Sequence, residues 1–400
     1  MKMKKVYKAL IFVLLFLIIA FQSLTIYAYD ELSINAKAGI IVETNTEKIL
    51  FEKNSTMINY PASVTKILTA ILVIENCNLD DMAIVSETAI SNIPEGYVVA
   101  PLVVGEEMRV EDLLYALMLK SSNDAAYVLA EHVGGSINKF SDMMNEKAKE
   151  IGCKNSHFVN PNGIHNAEHY TTAYDMYLIS DYAMKNDAFV KIVSTYKYTL
   201  PATNKYKNKD RVMENTNRFV NPDSSYYNEY VRGIKTGTTI QAGNCLITDV
   251  SKDGLNFINV LLCADTSNGK FDETNKMIEF ELDNYTLTQL HKKGETIKTI
   301  EVEKATKDTK NLDLVISDEI TVMNNKKTTT DEIIPDIELN EEIVAPISQG
   351  QELGTIKYKV EDIEYSAKLL AANDVKKTYY IEIMIAIAIV LVILSYFILK

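Results

Sequence analysis

Across residues 31–284, strand patterns stand at both ends and helix patterns lie between them, and this order leaves few folds open. Residues 38–43 (Ala-Gly-Ile-Ile-Val-Glu) form an apolar run, 44–47 carry turn residues, and 48–52 return as the second strand of a hairpin. Apolar residues at helical spacing follow over 65–74, 110–119 and 124–132. Residues 234–249 and 255–265 then read as two further strands, joined by the turn Ser251-Lys-Asp-Gly. Such an order suggests that the two ends share one sheet and that the intervening helices pack on it. The expected fold class is therefore α/β (α+β).

Beyond residue 285 the character changes. Thr, Ile, Val, Lys and Glu alternate in short runs such as 312–316 and 355–360, which predicts a small all-β domain over 285–375. Residues 304–310 and 324–330 read as solvated loops, and no cluster of catalytic residue types occurs in this part. There is no internal repeat of solenoid length.

Both termini carry long apolar runs. Lys2, Lys4, Lys5 and Lys8 precede an apolar stretch over 9–20, and a small residue, Ala28, stands at a suitable cut site, so 1–28 reads as a secretory signal peptide. Residues 379–399 read as a transmembrane helix, because 381–399 is apolar apart from Glu382, Ser395 and Tyr396. The net charge of −13 argues against nucleic acid as a partner, since phosphate binding needs a basic surface. Cys77, Cys153, Cys245 and Cys263 match no zinc or redox spacing. Cys245 and Cys263 sit in neighbouring apolar runs where a bridge is open, and buried thiols are the plainer reading. His157, His165 and His169 lack metal-ligand spacing, and no metal or cofactor is expected.

Three short motifs carry chemistry. Ser63 and Lys66 lie three apart where a helical pattern begins, which puts both on one face. A serine hydroxyl needs a base to become a nucleophile, and a lysine serves once burial or neighbouring cations depress its proton affinity. The plainer alternative is an N-cap. Ser121 and Asn123 lie two apart between two helical patterns, where they can both face a cleft; the plainer alternative is that Asn123 or Ser122 caps the next helix. Lys235, Thr236 and Gly237, followed by Thr238, open an apolar strand: a cation and hydroxyls suited to a carboxylate, with a glycine that admits a close backbone. Alone, this is equally a strand edge with an exposed lysine. Together the three form the Ser-x-x-Lys, Ser-x-Asn, Lys-Thr-Gly set in the required order.

With these motifs the chain resembles the low-molecular-mass penicillin-binding proteins, serine-type D-alanyl-D-alanine carboxypeptidases of the peptidase S11 family. The likeness extends to residues 158–164 (Phe-Val-Asn-Pro-Asn-Gly-Ile), 169–175 (His-Tyr-Thr-Thr-Ala-Tyr-Asp), Ala242-Gly243, and the stretch 347–375. It implies a β-lactamase/transpeptidase-like catalytic domain over 29–284, with a central antiparallel sheet flanked by helices, then the small β domain. It also implies roles. Ser63 attacks the D-Ala-D-Ala carbonyl, Lys66 is the general base, and Ser121 passes the proton toward the departing D-alanine. Asn123 positions the substrate, the backbone N–H groups of Ser63 and Thr238 form the oxyanion hole, and Lys235, Thr236 and Thr238 receive the terminal carboxylate. The substrate is the peptidoglycan stem peptide, β-lactam antibiotics acylate Ser63, and the enzyme works outside the cytoplasm at the membrane. Two positions depart from the family pattern: Thr238 stands where an aromatic or His is frequent, and Lys270 aligns with an arginine that binds the substrate carboxylate. Lysine is a point charge and lacks the guanidinium fork.

Three other readings share these residues: a β-lactamase, a DD-endopeptidase, and a peptidoglycan-binding scaffold without catalysis. A class A β-lactamase needs a Glu-activated water, and the local candidate, Glu168, stands in a setting unlike that loop.

Overall fold

The central sheet has five strands: β1 (Ala38–Glu43), β2 (Lys48–Lys53), β3 (Val231–Thr239), β4 (Gly243–Lys252) and β5 (Leu255–Ala264). This computed structural model describes residues 32–208 and 210–398, so the signal-peptide reading of 1–28 falls outside it. The strand order is β2-β1-β5-β4-β3, and every pairing is antiparallel. All of β1 is buried, which is why its sequence is a continuous apolar run rather than an alternating one. The expected single strand over 234–249 is instead a hairpin. The chain leaves β3 at Thr239 and enters β4 at Gly243, which takes the left-handed turn conformation at φ 65°. The apolar run hid this turn because both of its strands are buried.

Helices cover both faces of the sheet. Residues of alternating parity on β5 show this: Ile258, Val260 and Leu262 join one core with the long helical segment, while Leu255 and Phe257 join another with Phe271 and Ile278. The first core belongs to α1 (Lys66–Asn76), α2 (Val110–Met118), α3 (Asn123–Gly134), α4 (Ile137–Ile151), α5 (Ala173–Met184) and α6 (Asp187–Val193). The second belongs to α7 (Gly269–Asn284). Helix α1 is buried at every position from Lys66 to Val73, so it has no polar stripe and sits inside the helical layer.

After α7 the chain builds a β domain with its own core of Leu312, Leu314, Ile356 and Leu369. Five antiparallel strands run in the order Thr296–Glu301, Asn311–Ile316, Ile363–Ala371, Glu352–Val360, Pro335–Leu339. Tyr285–His291 pairs separately with Ile320–Asn325. The two parts touch where Lys48 Nζ lies 2.8 Å from Glu361 Oε2, a partly exposed pair of modest strength.

The expected membrane anchor is corrected here. The last apolar run does fold as a helix, Tyr380–Ile398. Among the described residues, however, no helix is long and apolar enough to cross a membrane.

The loop over 158–164 determines where the first motif sits. Asn145 of α4 clamps its start, donating to Phe158 O at 2.8 Å and accepting from Phe158 N at 2.8 Å. Thr69 of α1 donates to Pro161 O at 2.6 Å. Gly163 then passes so near the chain before α1 that an added Cβ would lie 1.8 Å from Ala62 O, and its φ is 80°. Both facts demand glycine. Gly163→Ala is expected to lower stability by roughly 3 kcal/mol or more, as overpacking adds to the left-handed penalty. Gly135→Ala, at φ 71° with nothing within 4 Å of an added Cβ, should lose only about 1 kcal/mol. Denaturant midpoints of the two variants check this; equal losses would remove the close-approach argument.

Candidate active site

Ser63 lies in a 3-10 turn, Ala62–Thr65, that runs directly into α1. Residues three apart eclipse in such a turn, so Lys66 sits under Ser63 with Nζ 3.0 Å from Ser63 Oγ. Ala62 has φ 49°, a left-handed conformation that an alanine adopts only under constraint. Lys66 Nζ has two more partners, Asn123 Oδ1 at 3.0 Å and Asn162 O at 2.7 Å. The Asn123 amide orientation follows from its other end, where Nδ2 donates to Val98 O at 2.9 Å. Lys66 is fully buried, and its proton affinity is pushed well below the ordinary lysine value, first by desolvation and then by the charge of Lys235.

The chemistry follows from donor counting. An ammonium has three N–H donors and would spend them on Ser63, Asn123 and Asn162. The neutral amine has two donors and one lone pair. Two of the partners, Asn123 Oδ1 and Asn162 O, are carbonyl oxygens that only accept. The lone pair of a neutral Lys66 is therefore left for the Ser63 hydroxyl proton, the arrangement a general base requires.

The second motif lies on the chain between α2 and α3. Ser122 is the N-cap of α3 by position, but its side chain makes no capping bond, so the capping alternative fails for it. Asn123 is the first helical residue, and its amide turns to Lys66. Ser121 has φ 65°, a second strained residue at the cleft. Asp124, read only as a helix start in the sequence, is buried and accepts from the N–H groups of Ala100 and Leu102 at 3.0 and 3.1 Å. That contact draws the segment around Val98 against Asn123.

The third motif is on β3. Gly237 lies so close to the Ser63 turn that an added Cβ would meet Ser63 N at 3.0 Å and Val64 N at 3.1 Å. The strand thus passes over the N–H groups at the start of α1, where the helix end carries partial positive charge. Lys235 is buried, donates to Thr236 O at 2.8 Å, and is lowered to about 7 by desolvation and by the Lys270 charge. Thr236 Oγ1 is 2.7 Å from Thr216 Oγ1. Thr238 Oγ1 donates to Gly237 O at 2.7 Å, and Lys270 Nζ of α7 donates to that hydroxyl at 3.4 Å. Lys270 thus comes to the motif it was aligned with, although as a single buried ammonium whose proton affinity burial lowers.

His169 braces the nucleophile turn. Its Nδ1 accepts from Val159 N at 3.1 Å, so the proton of the neutral ring is on Nε2, which donates to Thr65 Oγ1 at 2.8 Å. Thr65 Oγ1 in turn donates to Ala62 O at 2.8 Å. Burial holds the imidazole down to about 3, so it stays neutral. Asp175 braces the same loop, accepting from Asn155 N at 2.8 Å and Ser156 Oγ at 2.7 Å.

Ser63, Ser121, Asn123 and Thr238 line a cleft of about 420 Å³, while Lys66 is buried beneath Ser63. Three contributors were not singled out as site residues from sequence: Asn162, which acts through its backbone carbonyl, Thr216, and the rim over 95–98. Only Asn162 had a signal, as part of the 158–164 motif. Glu168 is exposed and does not line the cleft, which removes the local candidate for a β-lactamase base. All four cysteines are free thiols, including Cys245 and Cys263.

Comparison with known proteins agrees with this geometry. The family of D-alanyl-D-alanine carboxypeptidases matches residues 25–266, and the penicillin-binding protein 5 C-terminal domain matches 285–377. The chain is 32% identical to the D-alanyl-D-alanine carboxypeptidase DacF of Bacillus subtilis, over 88% of this chain and 89% of that one. It is similar to the crystal structure of the D-alanyl-D-alanine carboxypeptidase DacD from Francisella tularensis, with a TM-score of 0.66, 27% identity, and coverage of 89% of this chain and 97% of that one. Penicillin binding protein 5 from Haemophilus influenzae matches with a TM-score of 0.65 and 26% identity, over 86% of this chain and 98% of that one. With Lys66 Nζ buried 3.0 Å from Ser63 Oγ and a family match across both domains, the chain belongs to the peptidase S11 family and is a serine-type D-alanyl-D-alanine carboxypeptidase.

Proposed function

We propose that Ser63 carries the acyl group and that Lys66, Ser121, Asn123, Lys235, Thr236, Gly237 and Thr238 serve it in the following way. Neutral Lys66 takes the hydroxyl proton as Ser63 Oγ attacks the carbonyl carbon of the penultimate D-alanine. The N–H groups of Ser63 and Thr238 hold the oxyanion, an interaction worth about 3 kcal/mol per donor. The proton passes from Lys66 through Ser121 to the D-alanine nitrogen, the C–N bond breaks, and D-alanine leaves. Water then attacks the ester, gives its proton to Lys66, and Ser63 regains its own. Asn123 holds the substrate amide, and Lys235, Thr236 and Thr238 receive the terminal carboxylate, with Gly237 admitting the substrate backbone. Lys270 adds a second positive charge beside Thr238.

The observation that carries this reading is the set of three partners on Lys66, two of them carbonyls. The substrate is the pentapeptide stem of peptidoglycan, reached outside the cytoplasm after export by the leader at 1–28. A β-lactam presents the same amide and carboxylate, so it should acylate Ser63 and deacylate slowly, because among the described residues the only carboxylate lining the cleft is the exposed Glu95.

D-alanine release from a peptide ending in Lys-D-Ala-D-Ala tests the assignment. The wild type should release it, and Ser63→Ala should lose at least about 1,000-fold. Release by both would refute the nucleophile. Release by neither, with cleavage of cross-linked muropeptide, would move the reading to an endopeptidase.

The pH profile tests the lysines. Lys66 must be neutral and Lys235 charged, so kcat/KM should be bell-shaped, with its basic limb as Lys235 loses its proton near about 7 in the empty cleft. Lys270→Gln removes a cation that depresses Lys235. The basic limb should then move to higher pH even as kcat/KM falls. An unmoved limb would show that another group titrates there.

Ser121 separates strain from chemistry. Ser121→Gly should be about 1 kcal/mol more stable than Ser121→Ala, because only glycine relaxes at φ 65°. Both should slow acylation by labelled penicillin. Equal thermal midpoints would refute the strain.

A further inference from the structure

The two helices that bring Lys66 and Asn123 together are parallel, and their far ends converge on a second cluster. Helix α1 starts at Lys66, and Cys77 is its C-cap. Helix α3 starts at Asn123, and His132 stands in its last turn. Asp81 comes from the loop after α1, just before the strand Met82–Ile84. The Cys77 thiol, an Asp81 carboxylate oxygen and a His132 ring nitrogen all lie within 4.8 Å of one another. Among the described residues no other group of three His, Cys, Asp or Glu side chains is gathered so closely. At about 1.5 Å per residue along α1, the cluster is roughly 16 Å from Lys66, so it is separate from the catalytic cleft.

We propose that Cys77, Asp81 and His132 form a binding site for a borderline divalent transition metal of the Zn²⁺ class. The donor set is one sulfur, one nitrogen and one oxygen, which suits such an ion and neither Mg²⁺ nor Ca²⁺, whose ligands are oxygens. Ligand bonds of about 2.0–2.3 Å in a tetrahedron place donor atoms roughly 3.5 Å apart, so the cluster must contract slightly. The exposed His132 side chain can make that movement. Asp81 is already held in place, because Oδ2 accepts from Asn78 N at 3.0 Å, which leaves Oδ1 for the ion. Cys77 donates its S–H to Val73 O at 3.1 Å. On binding, that proton goes to solvent, the hydrogen bond is given up, and a metal–sulfur bond replaces it. The fourth position is taken by water on the exposed side.

The site's function is mechanical. A metal here ties the C-terminus of α1 to that of α3, and the relative placement of these helices determines the 3.0 Å contact between Lys66 and Asn123 at the other end. It therefore stabilises the active-site geometry without touching the substrate.

Cobalt(II) titration of the full chain is the test, because a cobalt–thiolate bond gives an ultraviolet charge-transfer absorption that oxygen and nitrogen ligands do not. The wild type should show this band at one equivalent, and Zn²⁺ should displace it. Cys77→Ser should abolish the band, and His132→Ala should weaken binding at least tenfold. Zn²⁺ should raise the unfolding temperature of the wild type and not that of Cys77→Ser. Without added metal, the variants should release D-alanine at the rate of the metal-free wild type, which confirms their fold. The exposed His132→Ala variant carries the test on its own if Cys77→Ser does not fold. No thiolate band in the wild type overturns the site, and so does wild-type affinity in His132→Ala.

Discussion

Everything at this site depends on one buried amine. Lys66 is the meeting point of the nucleophile turn, the start of α3 and the 158–164 loop, because its three partners come one from each. A lysine placed there in water would be charged and useless as a base. Desolvation and the neighbouring Lys235 charge favour the neutral form, and the two carbonyls then determine which way its lone pair faces. On the proposed mechanism, the direction of proton transfer follows from packing, since packing both removes the water and supplies the carbonyls.

That packing is obtained by forcing backbone into places it avoids. Ala62 and Ser121 both take left-handed conformations on either side of Lys66, and Gly163 and Gly237 admit main chain where a side chain would collide. The strain is opposed by hydrogen bonds made away from the reacting atoms. The His169–Thr65–Ala62 relay grips the carbonyl next to the strained peptide, and a neutral imidazole is needed because Nδ1 must accept while Nε2 donates. Behind these contacts α1 is buried from Lys66 to Val73 within the helical layer.

Much of this could be read from the residues. The three motifs are local, and each needs only a few neighbours in sequence to place it, so Ser63, Lys66, Asn123 and Thr238 were recoverable together. What failed did so for definite reasons. The β3–β4 turn was hidden by burial on both sides of it. Neither α4 nor α5 was read from the sequence: α4 does carry a stripe of Phe140, Met144 and Ala148, whereas α5 has aromatic and polar residues around most of its surface and no comparable signal. Asn162 acts through its carbonyl, which no residue type advertises. The Cys77, Asp81 and His132 grouping joins two helix ends 51 positions or more apart in sequence, so no spacing rule reaches it. The terminal apolar run was legible as a helix, but among the described residues no helix is long and apolar enough to cross a membrane.

The charge arrangement bears on the proposed recognition of the substrate. Lys66, Lys235 and Lys270 are all buried, and the hydrogen-bond partners around them are hydroxyls and carbonyls rather than carboxylates. Each burial lowers proton affinity, and Lys235 and Lys270 further depress their neighbours. On the proposed roles, a peptide ending in a free carboxylate supplies Lys235 and Lys270 with the carboxylate that their hydrogen-bond partners lack. By pairing with Lys235, it would raise that lysine's proton affinity, keep the cation charged, and so sustain the electrostatic pressure that holds Lys66 neutral. A peptide lacking the carboxylate would leave two buried cations uncompensated and meet the unfavourable desolvation without relief. On the proposed roles, recognition of the chain end and activation of the serine are one electrostatic event, set by lysines whose hydrogen-bond partners are hydroxyls and carbonyls.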